Sequence, residues 1–323
     1  MQTAWGWLPA IYLFLGGTSV GALLVAAAFE FSGKRYQYNF CPTSLVGATV
    51  SGPLIILGAL VLIFKLGAGL REPWRIFYMF THFSSVMTWG VWIITFFITI
   101  SLVYGFLEVM DTFPAAWDWL RARRWLRKAK FLWNLPIRRT KRLFAGVGLV
   151  LAVGVAAEQG SLISAVGPAI PFWSTRVLPF IPVPMMPVLF LVSALSAGLG
   201  LTVDLAATLA VGPMEQRVKS LPWIQMALIG VQTLLLGMLL ITALVDGGSA
   251  AQSALEIIVG TYAVVFWVLI VFPGLLFPFI VYACAAGLGR HSLVSRVGSG
   301  VGIVVASLFL RYLILASGIY AAL

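Results

Sequence analysis

Apolar residues run through this chain in eight blocks, over residues 7–29, 45–65, 84–108, 143–158, 187–211, 222–245, 257–285 and 297–320. Each is close to the length needed to cross the hydrocarbon core of a bilayer, about 20 residues as a helix. The pattern predicts an all-α integral membrane protein of eight transmembrane helices, with residues 1–323 forming one polytopic domain. The fourth block is the shortest and is expected to extend a little at either end. No Lys or Arg precedes the first block, so it lacks the basic start of a signal peptide. It reads as a retained helix even though Ala26–Ala28 resembles a cleavage site. No internal repeat is evident.

The composition agrees: 61% of residues are hydrophobic, 10% are charged and the mean hydropathy is +1.02. The net charge of +11 invites a nucleic-acid partner, and its distribution removes one. Sixteen of the twenty-one Lys and Arg residues fall in the first, third, fifth and seventh connections: Lys34 and Arg35, ten between Arg121 and Arg142, Arg217 and Lys219, and Arg290 and Arg296. Only Lys65, Arg71, Arg75 and Arg176 belong to the other side, and Arg311 lies inside the last block. Basic connections stay in the cytoplasm. Both termini and the second, fourth and sixth connections are therefore expected on the periplasmic, outer side of a bacterial cytoplasmic (inner) membrane. Within the third connection, Trp119, Ala122, Leu126, Ala129 and Trp133 recur at helical spacing among basic residues. That pattern predicts an interfacial helix lying on anionic membrane lipids. The fourth connection, with Pro168, Pro171, Pro179, Pro182 and Pro184, is too proline-rich for a regular helix. It is expected to form an ordered outer cap, with Phe172 and Trp173 at the membrane interface.

Resident redox centres are not expected. Cys41 and Cys284 are solitary, so no local set of thiolates exists for an iron–sulfur cluster. His82 belongs to the outer edge and His291 to a cytoplasmic connection, too far apart to share a haem iron. The chain is expected to hold no haem, cluster or other metal.

Ionisable groups within a bilayer are costly and so are functional candidates. Glu30, Glu108 and Asp111 sit at cytoplasmic helix ends and are expected to be solvated, as are Asp246 and Glu256 beside an outer loop. Glu158, Asp204 and Arg311 carry more weight. Asp204 lies toward the cytoplasmic end of its span and Arg311 toward the outer end of the last, about 10 Å apart in depth at 1.5 Å per residue, so they are not expected to pair. The densest polar and aromatic stretch is residues 70–92, LREPWRIFYMFTHFSSVMTWGVW, at an outer membrane edge. With the first and fourth spans it places Tyr12, Arg71, Glu72, Arg75, His82, Ser84, Trp89, Glu158 and Gln159 at one depth. Such a set suits a quinone: aromatic walls for a ring, donors for two oxygens, and Glu158 and His82 to exchange its protons.

The segments WGWLPAIYLFLGGTSVG (5–21), LREPWRIF (70–77), FSSVMTWGVW (83–92), GSLISAVGPAIPFW (160–173), MPVLFLVSALSAG (186–198) and LRYLILASG (310–318) resemble, in order and spacing, the NrfD/polysulfide-reductase membrane-subunit family. The resemblance implies a quinone-binding subunit of a respiratory complex, without haem of its own. It also implies partners: an extracytoplasmic ferredoxin-like subunit with 4Fe–4S clusters, and a catalytic subunit beyond it, either a molybdopterin enzyme or a multihaem cytochrome. The family's pocket lies at the start of the first helix, the loop before the third and the end of the fourth, where this chain has Tyr12, Arg71–Arg75 and Glu158. Two departures stand out. Glu158-Gln159-Gly160 replaces a Tyr-x-Gly, and Pro9 and Tyr12 stand where an Asn and a His occur.

The leading expectation is an anchor that oxidises menaquinol or ubiquinol and passes the electrons outward. One alternative adds proton translocation through Asp204, Arg311 and Glu158. The other is a secondary transporter, which broken helices, midplane sites and repeats would favour.

Overall fold

Backbone N–H and C=O groups in hydrocarbon have no water to bond, so an apolar run closes its own hydrogen bonds as a helix. The structure, a computed structural model, describes residues 5–32, 42–65, 73–113, 115, 118–119, 122, 136–166, 169–178, 181–209, 221–288 and 293–321. Eight of its helices are long and apolar enough to cross a membrane. They are α1 (Trp7–Ser32), α2 (Pro42–Lys65), α3 (Val86–Thr112), α4 (Ile137–Ala165), α5 (Met185–Leu209), α6 (Leu221–Asp246), α8 and α9 (Leu293–Ala316). A short helix, α7 (Gly248–Ile258), precedes α8, which is a π-helix over Val265–Leu276 and an α-helix over Phe277–Leu288. Pro273, inside the wide-turned part, has no N–H to donate. The block read as 257–285 is thus two helices: Gly260 and Thr261 break it, and Glu256 Oε2 accepts the Thr261 N–H at 2.9 Å. Glu256 is a turn-forming group as well as a boundary one.

Helices α1 to α4 pack as one four-helix bundle, and α5, α6, α8 and α9 as a second. The bundles meet mainly through α1 and α5, with α4 against α5 and α9 against α1 beside them. A Cβ on Gly21 would run into the Ala194 carbonyl, and one on Gly198 into the backbone of Gly21. Small residues let membrane helices approach this closely and gain dispersion contacts that lipid cannot supply.

The bundle has two unlike ends, one marked by Trp173 and the other by Lys141. At the Trp173 end, the predicted cap is a 3-10 turn (Pro171–Ser174) followed by an antiparallel hairpin of β1 (Arg176–Leu178) and β2 (Ile181–Pro184). Phe172 and Trp173 are not interfacial as expected; both are fully buried. The Trp173 indole donates to the Ile314 carbonyl at 2.8 Å, in the last turn of α9, where the helix leaves carbonyls without intrahelical donors. Trp5 stands edge-on to it, with ring centroids 5.9 Å apart.

At the Lys141 end, the expectation of solvated carboxylates is corrected. α4 begins at Ile137 rather than 143, which draws Lys141 into the bundle. Its Nζ lies 3.0 Å from Glu30 of α1, 3.0 Å from Glu108 of α3 and 2.6 Å from Asp111 of α3. Lys141 and Glu108 are both buried, and Arg142 adds a longer pair to Glu30 at 3.5 Å. One cation thus clamps the ends of three helices. The amphipathic helix expected over 116–133 lies outside the described residues, apart from isolated positions, as do Lys34, Arg35, Arg217, Lys219, Arg290 and His291.

Replacing Lys141 by Met strands three carboxylates against apolar packing. It is expected to destabilise the chain by roughly 3–5 kcal/mol, the range for breaking a buried ion pair from one side. Lys141→Arg is expected to recover most of this. Thermal unfolding in detergent measures both, and an unchanged midpoint for Lys141→Met argues against the clamp.

Candidate functional site

Toward the Trp173 end, three consecutive residues of α4 meet three different helices. Gln159 faces α1, filling the space that Gly16 leaves open: a Cβ on Gly16 would collide with the Gln159 amide and press on Ile55 of α2 at 3.3 Å. Glu158 faces α3, where its Cγ and Cδ lie 2.8 Å from the position of a Cβ on Gly90. Gly160 faces α5, and a Cβ there would strike the backbone of Pro187. Successive helical residues are about 100° apart, so a triplet of this kind reads three neighbours at one level.

Tyr12, one turn before Gly16 on α1, is fully buried beside Gln159 and within electrostatic range of Glu158. Gln159 is 1% exposed. Its amide oxygen and nitrogen, and Oε2 of Glu158, are buried and make no hydrogen bond of regular geometry among the described residues, while the Gln159 amide lies near enough to the Tyr12 phenol to interact with it. Leaving such atoms unsatisfied costs about 1–3 kcal/mol each. Most buried polar atoms find partners, so atoms of this kind concentrated on two adjoining residues single this place out as the candidate site. The phenol donates or accepts, the amide does both, and the carboxyl group exchanges a proton.

Arg311 supports α1 from the other bundle and is fully buried. Its Nε donates to the Leu13 carbonyl at 3.0 Å, and its Nη1 to Ser193 Oγ at 3.2 Å, the Ser307 carbonyl at 3.0 Å and the Ser307 hydroxyl. Its guanidinium carbon lies 5.3 Å from the centre of the Phe190 ring, and Nη2 lies where a Cβ on Gly17 would be. Leu13 and Gly17 share one face of α1, whereas Tyr12 and Gly16 share another. Asp204 is elsewhere, buried against Gly300 within electrostatic range of Arg296 and Tyr282. The depth argument against an Asp204–Arg311 pair agrees with these surroundings.

The candidate residues of the 70–92 stretch divide differently. Arg71 and Glu72 lie outside the described residues, and of Arg75 only the backbone is described, in the 3-10 turn Pro73–Phe80. His82 is exposed, with Nδ1 at 3.2 Å from both the Tyr78 carbonyl and Thr81 Oγ1. Ser84 is exposed as well. Trp89 is 56% exposed, stands edge-on to Phe83 at 5.8 Å and donates to its carbonyl at 3.0 Å. These side chains occupy the rim at the start of α3, and the described contacts do not bring them to Tyr12 or Gln159. The link from this stretch to the buried group is Gly90, which sequence reasoning passed over, as it did Gly16. The available signal was a glycine one turn from Tyr12 and another inside an aromatic run. Among the described residues, no three His, Cys, Asp or Glu side chains converge to hold a metal ion.

Comparison with known proteins gives a match to the family model "Polysulphide reductase, NrfD" over residues 1–322. The C subunit of polysulfide reductase from Wolinella succinogenes is 28% identical over 321 residues, covering 97% of this sequence and 94% of that protein. Protein NrfD of Escherichia coli is 31% identical over 205 residues, 60% of this sequence and 57% of its own length. The NrfD homolog of Haemophilus influenzae is 28% identical over 284 residues, 85% of this sequence and 82% of that protein.

Arg311→Ala would remove the charge-assisted bonds that tie α9 to α1 and α5, worth about 1.5–3 kcal/mol each. A marked fall in the detergent unfolding midpoint is expected, with Arg311→Lys recovering little, because an ammonium lacks the planar fork that serves several acceptors at once. Equal stability of the lysine variant and wild type would refute this role.

Proposed function

Because the protein belongs to the NrfD family of multi-pass membrane proteins, we propose that it is the quinol-handling membrane subunit of a respiratory oxidoreductase complex. Menaquinol or ubiquinol enters from the bilayer and sets its ring oxygens against Tyr12, Gln159 and Glu158. The observation that carries this reading is the cluster of unsatisfied buried polar atoms on Glu158 and Gln159 beside a buried phenol. Oxidation of the quinol to the quinone releases two electrons and two protons. Glu158 accepts a proton from a quinol hydroxyl, while Tyr12 and Gln159 hold the oxygens in register for the transfer. Exposed His82 at the rim hands protons on to water, and Arg71, Glu72, Arg75, Ser84 and Trp89 complete the mouth. The electrons pass to a ferredoxin-like 4Fe–4S subunit seated on the cap at the Trp173 end, and from it to a molybdopterin or multihaem catalytic subunit. The positive-inside rule supports the orientation, since sixteen of the twenty-one Lys and Arg residues belong to the opposite end.

A second reading, proton translocation coupled to quinol turnover, is favoured by Asp204, whose two carboxyl oxygens are buried without a hydrogen-bond partner among the described residues. Asp204→Asn in proteoliposomes separates the readings: a lowered proton-to-electron ratio with quinol turnover retained supports translocation, and an unchanged ratio argues against it.

Glu158→Gln is expected to lower quinol oxidation by about 10²-fold or more, the usual worth of a positioned acid–base group, with the partner subunits still co-purifying. Gly90→Val, which evicts the Glu158 side chain without altering it, is expected to reproduce that loss. His82→Ala is expected to slow turnover less than either. Wild-type rates with a soluble quinol analogue in both Glu158→Gln and Gly90→Val would remove the site from this position.

A further inference from the structure

Arg311 holds α1 through bonds that a neutral amide side chain could also make, so its charge is left to account for. Its partners are carbonyls and hydroxyls, and among the described residues no carboxylate lies within ion-pairing distance of it. An unpaired charge within hydrocarbon is costly and marks a working residue. Its surroundings show what the charge can work on. On α5, Ser193, Ser196, Gly200 and Asp204 recur every three or four residues and so share a face. On α9, Arg296, Gly300, Ser307 and Arg311 recur at four- and seven-residue steps and share another. The two faces meet. Ser193 Oγ lies 3.3 Å from Ser307 Oγ, Gly200 stands against Gly300, and the Asp204 carboxyl group fills the space beside Gly300. Between these levels Gln225 of α6 donates to the Ser196 carbonyl at 3.2 Å and to its hydroxyl at 2.9 Å. Ser193, Ser196, Asp204, Gln225 and Ser307 are all buried. A polar seam thus runs through the second bundle, about 16 Å from Ser193 to Asp204 at 1.5 Å per residue.

The seam has bonding capacity to spare. The Gln225 amide oxygen and both Asp204 carboxyl oxygens are buried and make no hydrogen bond among the described residues. Buried polar atoms of this kind are where proteins hold internal water, and water joined to hydroxyls and a carboxyl group passes protons. In a membrane protein such a seam is a route by which a proton gradient drains. Arg311 stands at its Trp173 end. A guanidinium stays charged at neutral pH and has no acceptor lone pair, so it cannot relay a proton as a hydroxyl or a carboxylate does. In surroundings of low dielectric it repels a hydronium ion far more strongly than it would in water. We propose that Arg311 is an electrostatic barrier that keeps the polar seam between α5, α6 and α9 closed to protons, as a fixed arginine charge does in water-selective pores. Protons that reach Asp204 go no further while Arg311 keeps its charge, which limits the translocation reading. The barrier is independent of the quinol reading, and its test uses no quinol.

The full-length protein is reconstituted in liposomes that enclose a pH-sensitive dye. Decay of an imposed pH gradient is followed with valinomycin and equal potassium on both sides, and a second trapped dye reports general leakage. Wild type is expected to hold the gradient, and Arg311→Gln to lose it several-fold faster with the second dye retained. Arg311→Lys keeps the charge while losing most of the bonds, and is expected to stay tight, which a purely structural role does not predict. Should Arg311→Gln fold poorly, Ser193→Asp sets a carboxylate beside Nη1 and neutralises the charge in place. It is expected to leak as Arg311→Gln does, with Ser193→Asn as tight as wild type. Adding Asp204→Asn to either leaky variant is expected to slow the leak, since it removes the carboxyl group at the far end of the seam. Gradient decay at the wild-type rate in both Arg311→Gln and Ser193→Asp overturns the proposal. So does an equal leak from Arg311→Lys and Arg311→Gln, a leak that Asp204→Asn leaves unchanged, or one that releases the second dye as well.

Discussion

Where α1 and α5 cross, the backbones at Gly21 and Gly198 touch with no side chain between them, and the arrangement of both bundles follows from that contact. In hydrocarbon no hydrophobic force pulls helices together, so association rests on close packing and on the few polar groups able to bond across it. The crossing supplies the first. Arg311 supplies the second, reaching from α9 to the Leu13 carbonyl of α1 and to Ser193 of α5. A larger residue at either glycine would separate the helices and lift the guanidinium from its acceptors. Close packing at one level also leaves a deficit at another: a cavity of about 430 Å³ lies among Leu24, Ala28, Leu199 and Ile224.

The first bundle carries polar clusters at its two ends, and they are unlike in kind. At one end Lys141 is ringed by Glu30, Glu108 and Asp111 at ion-pairing distances. Its partners come from inside the fold, and its work is to hold helix ends together. At the other end Glu158 and Gln159 keep polar atoms that make no hydrogen bond of regular geometry among the described residues. The first cluster is drawn from α1, α3 and α4 and the second from α1 and α4, with α3 making room at Gly90, so helices pinned at one end offer unused bonding capacity at the other. Rigidity at the first is what makes a defined geometry at the second possible.

Much of this was legible in the sequence. The eight apolar blocks predict the eight long helices, because span length follows directly from bilayer thickness. The start of α4 was not legible: Arg138, Arg139, Lys141 and Arg142 read as a loop, and only the carboxylates on α1 and α3 explain why they are helical. Phe172 and Trp173 looked like interfacial anchors because nothing local reveals the carbonyl of Ile314 that receives the indole. For the site, sequence reports depth and not azimuth. The sequence reads Tyr12, His82, Trp89, Glu158 and Gln159 as one level, yet His82 and Trp89 are exposed while Tyr12 and Gln159 are buried. What separates them is which neighbour has a glycine opposite, and that depends on helix rotation.

Helix α4 joins the two ends in one further respect. Lys141 and Glu158 are seventeen residues apart on a continuous helix, about 26 Å at 1.5 Å per residue. The first is keyed to three carboxylates and the second begins a triplet keyed to three helices. Loss or gain of a single residue between them would turn one end by about 100° relative to the other, so that no setting of the helix could satisfy both. The spacing therefore behaves as a toothed gauge. The interior of α4 admits substitutions but no insertions or deletions.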